Sequence, residues 1–372
     1  MGPQLVIARV IRYLPLAVSL AGVGFVLLWL LVLAEPPPLD ETSKQTWRST
    51  TFGSAFDDPT NFFITLLNGL TFAGLLFLVA SGFTLIFGLM RVVNMAHGSF
   101  FLLAGFIAVE YQRDFVGGDP AFGLTSDQVI LRNWVLPLVI AVVIVSGLGL
   151  LIQQLFLRWN QGQELRQALI TVALSIIAAD QITAHFVRGG ATDIAFPDEL
   201  GVDKRLDLHV GGIFYPWSRL FVLFVAIGVG ILLYLWLQRT KTGMIIRAGV
   251  DDRSMVSALG VNIGLFFAIA FIVGAGLAAL GGVIGGSSAS LDVGVDGNWL
   301  LNSLVVVIIG GMGSLGGAAV GALLYGMVDQ FSALYLPTIG QDCCTQYSSV
   351  LTFVLLAAVL AIRPLGLFGR PA

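Results

Sequence analysis

Charge is what this sequence has least of. Asp, Glu, Lys and Arg make up 11% of the 372 residues and apolar residues 57%, whereas an ordinary soluble domain is about 25% charged and 45–50% apolar. Folding in water would leave too much apolar surface exposed, which excludes a soluble enzyme and a disordered chain. Only three of the 19 basic residues are lysines, and the formal net charge is −3. No basic field is available to hold phosphates, so nucleic acid is excluded as a partner. The 45 glycines follow no G-X-Y period, which excludes collagen. What remains, at a mean hydropathy of +0.91, is an all-α, polytopic transmembrane helical bundle in contact with lipid.

Reactive side chains are just as sparse. Three histidines, His97, His185 and His209, share no helix-turn spacing and belong to no Cys/His cluster, so no metal site is expected. A Walker A loop needs Gly-Lys-Ser/Thr, but the lysines follow Ser43, Asp203 and Thr240; the chain is expected to bind no ATP in that way. Gly285-Gly286-Ser287-Ser288 offers a serine without a histidine base in its region and reads as a flexible helix end. Cys343 and Cys344 are adjacent and read as two unpaired small residues. Transport is expected, and catalysis and cofactors in this chain are not.

A spanning helix needs roughly 20 mostly apolar residues. Leu16–Ala34, Phe62–Met90, Asn133–Leu157, Leu220–Leu237, Val261–Leu291, Gly297–Val328 and Thr345–Ile362 qualify without one charge. Ala168–Val187 is interrupted by Asp180, and Val92–Val109 is broken by Asn94 and His97. Gly297–Val328 is too long for one crossing and reads as two segments joined at a glycine-rich bend; Ser81-Gly82 is a second candidate break. Lys and Arg flank short loops near residues 9–12, 158–166, 239–253 and 363–370. Placing these in the cytoplasm predicts N-in and C-in termini and about 8–10 spans, some short or broken. The first span reads as an uncleaved anchor followed by the external linker Pro36-Pro37-Pro38, so residues 1–60 stand apart from a transmembrane domain over 61–372.

Four segments carry further information. Gly88 to Ser99 places Asn94, His97 and Ser99 between two apolar runs; it is either part of a transport site built on broken helices or a tight cytoplasmic turn with a satisfied histidine. Ile308 to Gly321 holds Gly310, Gly311, Gly313, Ser314, Gly317 and Gly321. Gly313, Gly317 and Gly321 recur at four-residue spacing, a stripe for packing and bending. The two segments fall in opposite halves of the chain, which hints at an internal repeat. Residues 239–262 mix charge with apolar residues; Met255, Val256 and Leu259 recur at helical spacing from Asp251, and Gly260 could end that helix. Such a helix lies on lipid or docks in a partner's groove, and the acidic pair Asp251-Asp252 argues against lipid. Finally, Thr171, Ser175, Asp180, Gln181 and His185 are polar groups within one span. Asp180 is either a functional group or a residue reaching the outer interface.

Together these residues resemble a known family. Asn94-Met-Ala96-His97-Gly98 is similar to the N-x-A-H-G signature of one permease subunit type of bacterial branched-chain amino acid ABC importers. Gly310-Gly-Met-Gly313-Ser314-Leu-Gly-Gly317-Ala resembles that family's G-G-x-G-S-x-x-G-A stretch. Arg247-Ala248 through Asp251, Met255 and Gly260-Val-Asn262 resembles its cytoplasmic coupling loop, and Arg363-Pro364-Leu-Gly366-Leu-Phe-Gly369-Arg370-Pro371 its C-terminal ending. Leu169-Ile-Thr171-Val-Ala-Leu-Ser175 is a weaker match. The resemblance runs from about Phe62 to the C-terminus; the N-terminal span and the long loop 188–216 exceed a minimal permease.

The resemblance implies a multi-pass protein of the bacterial inner membrane. It implies a second permease subunit of different sequence, two cytoplasmic ATPases that bind ATP and Mg, and a periplasmic or lipid-anchored binding protein. The substrates implied are branched-chain or other neutral amino acids, with urea, amides and aromatic acids as alternatives in the same family. Asn94, His97, Ser99, Thr171 and Ser175 are then expected near the translocation path. Gly243, Arg247, Ala248, Asp251, Asp252, Met255, Leu259 and Gly260 are expected to take the ATPases.

Overall fold

In hydrocarbon each backbone N–H and C=O must be paired within its own segment, so the apolar runs can only become helices. A computed structural model describes residues 59–90, 92–116, 129–160, 162–186, 192–196, 205–207, 214–251, 253–335 and 347–369. The predicted N-terminal anchor, its proline linker, Asp252 and the two cysteines lie outside the described residues.

The helices, in chain order, are α1 (Pro59–Phe83), α2 (His97–Tyr111), α3 (Leu136–Ile152), α4 (Glu164–His185), α5 (Trp217–Arg239), α6 (Lys241–Asp251), α7 (Arg253–Ala258), α8 (Ile263–Gly286), α9 (Val295–Gly310), α10 (Leu315–Tyr335) and α11 (Tyr347–Ile362). Among the described residues five helical stretches are long and apolar enough to cross a membrane, and α9 and α10 form a broken pair bent by 117°. The all-α bundle expected from composition is therefore what the chain forms. The only sheet among the described residues is a two-stranded antiparallel ribbon, β1 (Arg205–Asp207) with β2 (Phe214–Pro216), seated at the start of α5. There Tyr215, buried, bonds through its hydroxyl to Asn68 Oδ1 at 3.1 Å, and so ties the ribbon to α1.

The predicted break at Ser81-Gly82 does not occur. The Ser81 hydroxyl donates to the Leu78 carbonyl at 2.8 Å, and α1 runs on through Phe83 into a π-helical turn, Thr84–Leu89. Gly82 serves close approach instead: a Cβ there would overlap the carbonyl oxygen of Gly274 on α8. Val79 lies beside Gly281 and Gly82 beside Gly274, so α1 and α8 cross antiparallel with almost no side chain between them.

That crossing relates two halves of the bundle. α8 packs on α2 and α3 as α1 packs on α9 and α10. α2 packs on α3 and α4 as α9 packs on α10 and α11. This is the packing of an inverted repeat, α1–α4 against α8–α11. The hinted repeat is thus present, with a different correspondence: the joint after α1 matches the joint after α8, residues 287–294, not the bend at 310–314. The cores divide likewise. One buried cluster centres on α2, α3 and α8, with Phe100, Phe101, Phe106 and Phe271; the other joins α1 to α9 and α10 through Leu76, Phe83, Val306, Ile309 and Tyr325.

Candidate functional site at the meeting of two half-helices

The joints after α1 and α8 matter because the helices that follow are short. α2 has 15 residues and runs on into a π-helical turn, Gln112–Val116, while α9 has 16 residues, about 24 Å at 1.5 Å per residue and less than a bilayer core of about 30 Å. Both begin inside the bundle. Ser99, in the first turn of α2, approaches Ser175, residue 12 of the 22 in α4. The meeting point is therefore about 16 Å along that helix, near its middle. The first turn of α9 arrives at the same place, since a Cβ on Gly98 would overlap the Asp296 carbonyl oxygen. Below the meeting point Phe101 stacks on Trp299 with centroids 4.6 Å apart.

The Asn94–Ser99 stretch is held there by named bonds. Asn94 Oδ1 accepts from the Ala96 N–H at 3.2 Å, closing a tight turn ahead of α2. Thr171 Oγ1 accepts from the Met95 N–H at 3.0 Å and donates to the Gln167 carbonyl at 2.9 Å, fastening the turn to α4. His97 Nε2 lies 3.0 Å from the Val79 carbonyl. A carbonyl only accepts, so Nε2 carries the proton. The ring is wedged between Phe83 and Phe100, while His97 Nδ1 and Asn94 Nδ2 are buried without hydrogen-bond partners among the described residues.

The stretch is a tight turn with His97 bonded through Nε2, and it is enclosed within the bundle. Asn94, His97 and Thr171 are fully enclosed and fasten α2 to α1 and α4. Ser99 is buried as well, but Ser175 is half-open on α4. Ser99 Oγ lies 3.1 Å from Ser175 Oγ and 3.4 Å from Asp296 Oδ2. Asp296, 9% exposed, was missed in sequence. It precedes an uncharged apolar run, and only the fold reveals that this polar linker packs against the first turn of α2. Asp180 lies on the exposed face of α4, where Gln181 donates to its Oδ2 at 3.4 Å.

The glycine stripe divides. Gly311 and Gly313 take φ of +98° and +82° in the bend, so Gly313 is not part of a helical stripe but abuts Gly88 in the π-helical turn after α1. Gly317 and Gly321 do face α9: Cβ atoms there would overlap Gly310 and approach Val306. Ser314 Oγ accepts from the Gly317 N–H at 3.0 Å and caps α10. The last carbonyls of α9 are satisfied by the C-terminal ending, where Leu367 N–H bonds Ile309 O at 2.9 Å and Phe368 N–H bonds Gly310 O at 3.0 Å.

On the cytoplasm-assigned side, two short helices replace the single one expected over residues 251–259. Thr240 caps the first, α6, by accepting from the Gly243 N–H at 3.1 Å. Gly243 lies so close to Trp236 and Leu237 that no side chain fits. Ile246 and Val256 face inward; Arg247 donates to Gln238 Oε1 at 2.8 Å. Ala248, Met255 (61% exposed) and Leu259 (73%) face out, so Met255, Val256 and Leu259 do not share a face. Gly260 ends α7 at φ +81°. A cleft of about 430 Å³ lies beside it, lined by Arg158, Ser257 and residues 260–264. α6 packs on α5, α8 and the π-helical end of α1. Displacement of α6 would therefore reach both helices of the central crossing.

A bundle of apolar helices, five of them long enough to cross a membrane, fits a membrane-embedded protein. The profile described as branched-chain amino acid transport system / permease component matches residues 65–360. The chain belongs to that family. It is similar to the high-affinity branched-chain amino acid transport system permease protein BraD of Pseudomonas aeruginosa, at 27% identity over 82% of this chain and 95% of the relative. It is similar to LivH of Escherichia coli K12, named in the same words, at 25% identity over the same shares. The probable permease LivM of Methanocaldococcus jannaschii is 23% identical over 79% of this chain and 90% of its own. The solved PsaBC from Streptococcus pneumoniae in complex with Fab aligns over 83% of this chain and 94% of its own at 12% identity and a TM-score of 0.43, a likeness too distant to inform the geometry. These permease relatives make this a multi-pass membrane transport protein, and residues 1–64 lie outside the family match.

Proposed function

We propose that the chain is the membrane subunit of an ATP-driven importer for branched-chain or other neutral amino acids in a bacterial inner membrane. It pairs with a second permease subunit of different sequence, receives solute from a periplasmic or lipid-anchored binding protein, and docks two ATPases that hold ATP and Mg. The observation that carries this reading is the family match across residues 65–360, read with the family's coupling loop folded as α6 and α7. The outward face of Ala248, Met255 and Leu259 supplies an apolar seat for a partner, beside a cleft lined by Arg158, Ser257 and Asn262. With Arg and Lys of the short loops inside, both termini lie in the cytoplasm.

The solute path runs along the open face of α4, the least buried and least apolar of the long spans. The uncovered face of α4 carries Leu169, Val172, Ile176 and Ile177 and is the surface offered to the second permease. Ser175 faces that path, Ser99 lies behind it, and Asn94, His97 and Thr171 position the start of α2. ATP-driven closure pushes α6 and rocks the crossing of α1 and α8, with the bend at Gly310–Ser314 as the yielding element.

Replacing Met255 and Leu259 with Asp tests the docking. The variant is expected to fold, since both side chains are exposed, but to lose co-purification with the ATPases and ATP-dependent leucine uptake. Unchanged assembly and uptake would refute the coupling role.

A further inference from the structure

Resting on that reading, we propose that residues 192–196 form an outer latch, which must release the joint between α8 and α9 before solute can enter from outside. The segment follows α4, whose start lies on the cytoplasm-assigned side with Arg158 and Arg166, so it lies on the outer side. It crosses the bundle to the joint at 287–294. Thr192 and Leu291 form an isolated antiparallel bridge and exchange both N–H···O bonds, at 3.0 and 2.8 Å. The Ile194 N–H bonds the Gly286 carbonyl at 2.9 Å. Gln112, in the turn after α2, holds the next residue by both backbone groups: its Oε1 accepts from the Ala195 N–H and its Nε2 donates to the Ala195 carbonyl, each at 3.1 Å. Ile194 and Leu291 are buried, and the Leu291 side chain fills the space over Gly105 and Gly286, where an added Cβ would overlap it. Closed, the segment ties the chain beyond α4 to the end of α2 and to the joint.

Three observations make this a latch and not a fixed brace. First, the outer half of α4 has little else to hold it. Its side-chain bonds to α2 and the turn before it come from Thr171 and Ser175, and beyond Ser175 only Ile182 is buried. Second, the bonds between Gln112 and Ala195 lie in exposed positions, where water replaces them at little net cost. Third, closure leaves a polar group unsatisfied. Phe196 stacks on Trp134, in the π-helical turn ahead of α3, with centroids 5.6 Å apart. Trp134 is buried, and its Nε1 has no hydrogen-bond partner among the described residues. A buried donor without an acceptor is costly, and withdrawal of Phe196 would return the indole N–H to water. The closed form therefore gains backbone pairing and apolar burial but carries a penalty that the open form escapes. Segments held by such a narrow balance open on their own, ahead of the surrounding helices.

The test locks the latch. Residues of an antiparallel pair that exchange both bonds have Cα atoms about 5.5 Å apart, within the range of about 4.4–6.8 Å that a disulfide spans. Thr192→Cys with Leu291→Cys, in the assembled transporter in proteoliposomes, is expected to lose ATP-driven leucine uptake about 10-fold or more on oxidation and to regain it on reduction. Each single variant, which keeps Cys343 and Cys344, should respond to neither treatment. Full uptake by the oxidised, cross-linked pair overturns the proposal. A second measurement needs neither the cysteines nor the partners: hydrogen exchange of the full chain in detergent. The peptide covering residues 192–196 is expected to exchange faster than those of α8. Gln112→Ala should speed it about 10-fold, the fold-change for a net loss of one or two hydrogen bonds, and leave α8 unchanged. Exchange no faster than in α8, or unmoved by Gln112→Ala, overturns the latch even where the cysteine pair fails to assemble. The importer reading fails separately: the exchange results would stand while the wild-type complex showed no ATP-driven uptake.

Discussion

Gly98→Ala adds one methyl where the structure has no room for it. The new Cβ would sit within the van der Waals shell of the Asp296 carbonyl oxygen and carbon and close to the Leu300 side chain. The nearest neighbour is backbone in the first turn of α9, so it cannot rotate away as a side chain would. Relief requires the starts of α2 and α9 to separate. The Ser99–Asp296 contact, at 3.4 Å already near the limit of a hydrogen bond, would then break. Overpacking of this kind costs about 1–3 kcal/mol. Part of the strain would pass to the Phe101–Trp299 stack, which bridges the same two helices. The matched control is Gly297→Ala, on the same turn of α9, where the added methyl meets open space. Melting temperature in detergent and leucine uptake by the assembled transporter are the assays. Gly98→Ala should melt lower and transport poorly, and Gly297→Ala should match wild type. Equal behaviour of the two variants would refute the close meeting of the half-helices.

Two further outcomes follow from the same contacts. Thr171→Val removes the acceptor of the Met95 N–H while keeping the side-chain shape, which leaves a buried donor unpaired at a cost of about 1–3 kcal/mol; Thr171→Ser should stay near wild type, and equal melting of the Val and Ser variants would count against the anchor. Truncation after Pro364 removes the N–H donors of Leu367 and Phe368 from the last carbonyls of α9; at about 0.5–1.5 kcal/mol per bond the melting temperature should fall, and an unchanged value would show that the ending does not brace the bend.

The spans could be read from composition because each long apolar run has only one way to satisfy its backbone in lipid. The broken nature of α2 was legible in Asn94 and His97, and the α9–α10 bend in its cluster of glycines. What sequence could not show was depth. Ser99 and Asp296 are 197 positions apart, and nothing in the polar linker 287–296 announces that it descends between helices. The same holds for the C-terminal ending, recognisable as a motif, whose role as the cap of α9 depends on two backbone bonds across the fold. Gly313 was grouped with Gly317 and Gly321 by spacing, but its positive φ removes it from the helix. α6 went unread although its apolar and polar residues lie on opposite sides; that segregation, and Thr240 ahead of it as a helix-capping residue type, were the available signals.

The central claim is that this chain is a passive gate worked by separate ATPases. Proteoliposomes carrying the permease with its second subunit, with or without the ATPases and binding protein, test it through the accumulation of labelled leucine under defined ion gradients. Concentrative uptake is predicted only with the ATPases and ATP present, whatever the Na⁺ or proton gradient. Concentrative uptake by the permease alone that collapses with an ion gradient would contradict the account.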